Sequence, residues 1–373
     1  MSQRRLDLHV FIEFEVMLYA FLSILVTIAT LNLADGLPVS SSEVMNYQHI
    51  NGLSDIFKTS TPTQYKTILL DMWGVMHNGK TPYEGVLDTV KQLKELSGIR
   101  LVILSNSSKR RDHSVRMLGK LGFNAEDFDD IITSGEVSYR MLSGDQSLEC
   151  ETWSVISDII SSEKKEKNVF VCGSGDGDEK YCESAGWNLA PISNADLIVA
   201  RGTFTLNDGV DVIAKNDDEE KYDRTLEEIL SQAALRKVPM LVCNPDKVRP
   251  DEGLPPMPGA IGDLYEDALG GGNDSKMLVK RIGKPFKEVY DLALNGDDPS
   301  SAIMIGDALE TDVTGGMSIG CSTLWVVNDG IHSPDVSSRG VDFESAVESV
   351  LQEFNEAKEQ KLSPSFIAPR FQW

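Results

Sequence analysis

TILLDMWGVMHNG, residues Thr67 to Gly79, holds an abrupt change of chemistry. Thr67-Ile68-Leu69-Leu70 has the short apolar run of a buried strand, and it stops at Asp71. A carboxylate in that place either caps a turn or does chemistry. The residues that follow, Trp73 and then Gly74, sharpen the question, because an indole has no acid function to add to the aspartate.

Outward from this stretch the chain alternates between apolar runs and amphipathic segments. GVLDTVKQLKELSG, residues 85–98, places Val86, Val90, Leu93 and Leu96 on one helical face and ends in glycine. IRLVILS is the next strand, ending at Ser105. RRDHSVRMLGKLG supplies a helix and DIITS a short strand. The same grammar resumes downstream: a helix in KPFKEVYDLALNG beginning at Lys284 and Pro285, strands in SAIMIGD and STLWVV, and a helix in FESAVESVLQEFNEAKEQ. Strands alternating with helices predict an α/β fold with a doubly wound parallel sheet.

Between residues 136 and 280 lie further strands, NVFVCG, ADLIVARG and VPMLVCN, and a polar run from Lys215 to Asp223 that reads as a solvated loop. The expected organisation is a core of residues 50–135 and 281–355, an inserted α/β domain of residues 136–280, and a polar C-terminal tail of residues 356–373. No internal repeat is evident.

The chain has 373 residues, enough for two domains or for one with a large insertion. Its net charge is -23, from 58 acidic and 35 basic residues, which argues against a nucleic-acid partner. An anionic substrate therefore needs a local positive site. The five cysteines are odd in number and form no C-x-x-C pair, so no zinc site or disulfide framework is expected. Cys172, Cys243 and Cys321 read as small core residues, and the setting as reducing and cytoplasmic.

Residues 1–45 stand apart. Val16 to Ala34 carries no charge and lies downstream of Arg4 and Arg5, but Glu13 and Glu15 occupy the flank where positive charge belongs. The segment is either an organellar, secretory or membrane-anchoring signal, or an extension outside the fold. A membrane partner follows only if it is retained.

Three strands of the first set end in polar residues: Asp71, Ser105 and Asp307. Open α/β sheets bind ligands at the carboxyl ends of their strands. If these strands are neighbours, two carboxylates and a hydroxyl meet in one crevice. Such a pair of like charges needs a cation, and oxygen ligands with open positions point to Mg²⁺. Asp312 and Lys284 could reach the same place. Each residue also has a plainer reading: Asp71 as a turn residue, Ser105 and Asn106 as a helix cap, Lys284 as a surface lysine. Four separate strand or loop ends supplying matching chemistry favour a site.

LLDMWGV, VILSNSS, GKP and IMIGDALETD, in that order, resemble the four motifs of the haloacid dehalogenase (HAD) superfamily. VFVCGSGD, ADLIVARG and LVCNPD, followed by MPGAIGDLYEDALGG, resemble its class IIA branch, whose α/β cap is inserted between motifs two and three. The resemblance spans residues 50 to 355. It implies a Mg²⁺-dependent hydrolase of a small phosphorylated metabolite, with Asp71 as the nucleophile that forms an aspartyl-phosphate. It further implies that Ser105 and the amide around Asn106 hold phosphate oxygens, and that Lys284 pairs with nucleophile and phosphate. Asp71, Asp307 and the carbonyl of Trp73 would bind the metal, with Asp312 supporting them. Pairing of two copies through the cap is also typical of the class. Asn244 and Asp246 in NPD are candidates for facing the crevice, although Pro245 suits a simple turn equally well.

Phosphatases of this superfamily carry a second aspartate two residues after the nucleophile, as general acid and base. Here that position is Trp73. Three readings follow: a phosphatase whose leaving group needs no proton or takes one from elsewhere, His77 being a candidate; a weakly active or non-catalytic protein that binds a phosphorylated ligand; or a C–halogen hydrolase. The last leaves GDALETD without a purpose.

Overall fold

The computed structural model describes residues 47–57, 64–145, 154–162, 166–175, 177–249 and 255–373. The N-terminal apolar stretch from Val16 to Ala34, and with it the targeting question, lies outside the described residues. Among the described residues no helix is long and apolar enough to cross a membrane.

In chain order, the first strands are β1 (Gln48–His49), β2 (Thr67–Leu70), β3 (Arg100–Ser105) and β4 (Asp130–Thr133). Then come β5 (Asn168–Gly173), β6 (Asn188–Leu189), β7 (Leu197–Ala200), β8 (Thr205–Asn207), β9 (Val212–Ala214), β10 (Met240–Val242) and β11 (Val279–Arg281). The last are β12 (Ala302–Gly306), β13 (Ser322–Val326) and β14 (Phe366–Ala368). One sheet runs β1-β14-β13-β12-β2-β3-β4, with every neighbouring pair parallel. The other runs β11-β10-β7-β5-β8-β9, with β6 beside β5. It is mixed, because β8 pairs antiparallel with β5 and with β9.

β2 shows why the first sheet reads as continuous apolar runs. All four of its residues are buried, because helices cover both faces of a parallel sheet. Ile68 and Leu70 pack into one apolar cluster with Ile103, Ile303 and Ile305, while Leu69 joins Val102, Leu104 and Met304 in another. That second cluster continues past the helix Ser134–Leu142 to Val169 and Val199 of the other sheet. Apolar packing therefore unites the two sheets, and Asn46 to Trp373 is one compact unit. The helix Val86–Lys94 buries Val86, Val90 and Leu93, one face at helical spacing.

Three local expectations are corrected. The tail of residues 356–373 is not all tail: Phe366–Ala368 forms β14 between β13 and β1, an apolar triplet too short to give a periodic signal. The polar run from Lys215 is a loop only in its first half. Asp218 accepts a hydrogen bond from the Lys221 N–H at 2.9 Å and caps the helix Glu219–Arg236. The helix expected from Lys284 begins at Lys287 instead. Both backbone polar groups of Lys284 are bonded to the Asn106 side chain, which removes them from a helical ladder.

Candidate active site

Strand register brings the site together. β2 lies between β12 and β3, with Leu70 beside Ile305 and Ile103. Asp71 comes next, and its N–H donates to the Ile305 carbonyl at 3.0 Å. Asp307 and Ser105 each lie two residues beyond those partners, so the three leave the sheet along one carboxyl edge.

Carboxylate oxygens of Asp71, Asp307 and Asp312 lie within 4.8 Å of one another, and all three residues are buried. Lys284, only 2% exposed, sets its Nζ 2.6 Å from Asp71 Oδ1 and 2.7 Å from Asp312 Oδ1. Burial works to lower the pKa of that ammonium, but Asp312 and Asp71 outweigh it and hold the group above its ordinary value. Burial, with Asp312 and Asp71 adding repulsion, raises Asp307 well above the usual carboxylate range. Asp312 is pushed up to about 6 by burial, against the pull of Lys284. Three buried carboxylates facing one ammonium have surplus negative charge, which protons or a cation must offset. An all-oxygen donor set of this kind fits a hard divalent ion.

The surrounding backbone is shaped for this cluster. Gly74 has φ +83°, and a Cβ there would lie 2.3 Å from Asp307 Oδ2. A Cβ on Gly330 would lie 2.4 Å from that of Asp307, whose Oδ2 accepts the Ile331 N–H at 2.8 Å. Asp312 sits on a single π-helical turn, Leu309–Val313, and its Oδ2 accepts the Ala308 N–H at 3.1 Å. Such turns concentrate at functional sites.

Trp73 is half-buried. Its ring lies against Gly79, where a Cβ would come 2.6 Å from the indole, and the Arg249 guanidinium stands 5.8 Å from the ring centroid. The indole thus fills the space between the 74–82 flap and a loop following β10. His77 is fully buried behind it, with ring centroids 5.8 Å apart. Its Nδ1 accepts the Gly79 N–H at 2.9 Å, and burial lowers its pKa to about 4.

Ser105 is buried, and its Oγ accepts the Ser107 N–H at 3.3 Å. The Asn106 side chain turns to Lys284 and Asp246. Asn244 is buried and accepts the Asp246 N–H at 2.8 Å, so it is both a turn residue and a wall of the site. Asp246 is partly open, and burial raises its pKa to about 7 against the opposing pull of Asn106 and Lys284. All of these candidates line one cavity of about 900 Å³.

Arg201 also lines the cavity and escaped the sequence reading. It is buried, paired with Asp178 at 2.5 Å, and its guanidinium lies 4.0 Å from the Tyr181 ring centroid. The signal was present: DLIVAR is an apolar run ending in a charge, as TILLD is. The contacts of Gly330 and Ile331 with Asp307 had no comparable signal.

The model of haloacid dehalogenase-like hydrolases matches residues 68–188, and a second, HAD-hydrolase-like model matches residues 281–357. Together they span more than half of the chain, which belongs to the haloacid dehalogenase-like hydrolases. The acid sugar phosphatase of Staphylococcus haemolyticus is 24% identical over 265 residues, 70% of this chain and 85% of that protein. Among solved structures, a haloacid dehalogenase-like hydrolase from Brucella suis 1330 superposes with a TM-score of 0.58 at 21% identity, covering 86% of this chain and 99% of that one. The p-nitrophenyl phosphatase from Archaeoglobus fulgidus gives a TM-score of 0.54 at 23% identity, covering 82% and 96%. The fold is therefore the parallel-sheet α/β fold of this family, and the mixed second sheet is consistent with a cap domain.

Proposed function

We propose that the protein is a Mg²⁺-dependent phosphatase acting on a small phosphorylated metabolite through an aspartyl-phosphate on Asp71. The observation that carries this reading is the buried cluster of Asp71, Asp307 and Asp312 around the Lys284 ammonium. The phosphatase names of the relatives support it. Residues 136–280 serve as the cap over the site.

Asp71, Asp307 and the Trp73 carbonyl would hold the Mg²⁺, with Asp312 supporting them, and when bound the ion would supply positive charge against the phosphate oxygens. Asp71 attacks phosphorus and the bond to the leaving oxygen breaks. Lys284 pairs with the nucleophile and meets a phosphate oxygen, while Ser105 and the backbone N–H around Asn106 take others. Water then cleaves the acyl phosphate and releases inorganic phosphate.

Position 73, where phosphatases of the superfamily carry the acid that protonates the leaving oxygen, holds an indole. His77 is a poor substitute: it is neutral at pH 7 and its Nδ1 is occupied by the Gly79 N–H. General acid catalysis contributes roughly 10²–10⁴-fold. Its loss is tolerable only for leaving groups that depart as stable anions, such as phenolates and carboxylates. The test is turnover of phenyl phosphate that requires Mg²⁺ and disappears in Asp71→Asn.

The indole at the acid position favours one second reading, a protein that binds a phosphorylated ligand without turning it over. Inorganic phosphate binding with no hydrolysis of any phenolic or acyl phosphate would select it.

A further inference from the structure

Asn106 uses every hydrogen-bonding group of its side chain, and all of its partners lie outside its own strand. Its Oδ1 accepts the Lys284 N–H at 2.7 Å, and its Nδ2 donates to the Lys284 carbonyl at 3.0 Å and to Asp246 Oδ1 at 2.7 Å. An amide has two N–H donors and an oxygen with two lone pairs, so both donors and one lone pair are engaged. Its orientation is fixed as well, since only the NH₂ end can face both a carbonyl and a carboxylate.

Packing around this amide leaves no slack. A Cβ on Gly283 would lie 2.4 Å from Asn106 Oδ1 and 2.7 Å from Pro245 Cδ. A Cβ on Gly259 would lie 2.2 Å from the Pro245 carbonyl oxygen. Asn106, residues 283–284 and residues 244–246, the last from the loop after β10 in the second sheet, therefore meet closely, with the Gly283 backbone seated directly on the Asn106 and Pro245 side chains. The Lys284 backbone is gripped at both polar groups, and that grip aims its Nζ between Asp71 and Asp312.

We infer that Asp246 is a positioning residue, acting through the Asn106 amide to hold Lys284 against Asp71. A carboxylate acceptor gives the charge-assisted, shorter kind of hydrogen bond. The loop after β10 is then a structural part of the phosphate site and not only a cover over it. The inference rests on the phosphatase reading for its kinetic consequence and on geometry for the rest.

Asp246→Asn keeps an oxygen that can accept from Asn106, and Asp246→Ala does not. With phenyl phosphate and Mg²⁺, Asp246→Ala is expected to lose about 10- to 100-fold in kcat/KM, mostly in kcat, as for a hydrogen bond to a charged group. Asp246→Asn is expected to stay within about 3-fold of the wild type, and Asn106→Ala combined with Asp246→Ala to be little worse than Asn106→Ala alone. Equal damage in the Asn and Ala variants, no damage in either, or a double variant showing the product of both losses overturns the inference. Crystal structures of the two variants read the same point without turnover. Lys284 Nζ should stay between Asp71 and Asp312 in Asp246→Asn and leave Asp71 in Asp246→Ala. If it keeps its place in both, the inference fails whatever the activity. Absence of any wild-type hydrolysis, with Lys284 displaced only in Asp246→Ala, would remove the phosphatase reading and leave this one standing.

Discussion

Trp73→Asp restores a carboxyl group at the position of the missing acid, and its consequences can be sized from the site. The new side chain would join three buried carboxylates that face the Lys284 ammonium. Crowded like charges and burial raise a carboxyl pKa, which suits a proton donor. A well-placed acid contributes roughly 10²–10⁴-fold; because the site was not built around this one, about 10- to 100-fold on alkyl phosphates is expected. Phenyl phosphate should change by less than about 3-fold, since phenolate leaves without a proton. The cost is the emptied space over Gly79. A fully buried Trp→Ala costs about 3–5 kcal/mol, and Trp73 is only half-buried, so about 1–2 kcal/mol is expected. The assay is single-turnover hydrolysis of glycerol phosphate and phenyl phosphate by both proteins, with thermal unfolding in parallel. If the folded variant shows no selective gain, or if the wild type cleaves both esters at similar chemical-step rates, the reasoning about the acid is refuted. In the second case His77→Ala is the first place to look.

Gly74→Ala should lower Tm and abolish activity, because the site needs both φ +83° and the space beside Asp307; circular dichroism and turnover check it. Millimolar Mg²⁺ should raise the Tm of the wild type, by about 2.7 kcal/mol of stability at a hundredfold excess over Kd, and should have little effect on Asp307→Asn; scanning calorimetry in EDTA and in Mg²⁺ distinguishes the two. Asp246 gives a pH effect whose sign follows from its raised pKa. Between its unfolded value near 3.8 and about 7 the folded protein binds more protons, so stability falls as pH rises through that window. The full shift corresponds to about 4 kcal/mol, and its partial openness to the cavity lowers this to a couple of kcal/mol. Metal-free Asp246→Asn should therefore gain Tm over the wild type at pH 8 but not at pH 4, measured by thermal unfolding.

The parallel sheet was legible because β2, β3 and β12 are unbroken apolar runs, each ending near a polar residue that changes the chemistry. Adjacency of those strands was an inference, and the register of Leu70 with Ile305 and Ile103 supplies it. β14 was not legible, since Phe366–Ala368 carries no period and depends on β13 and β1 for its hydrogen bonds. Lys284 was legible as a residue of the site but not as the end of a turn, because the group that interrupts its helix, Asn106, lies 178 residues away. Asp246 was visible only as one of several turn-like residues in NPD. Its bond to Asn106 is a tertiary fact that no local pattern encodes.

The seat of the indole on Gly79 ties two choices of residue together. A side chain at position 79 would collide with the Trp73 ring, so the two residues are a matched pair. Glycine is demanded there twice over, by its φ of +85° and by the ring above it, and a smaller residue at position 73 lifts only the second demand.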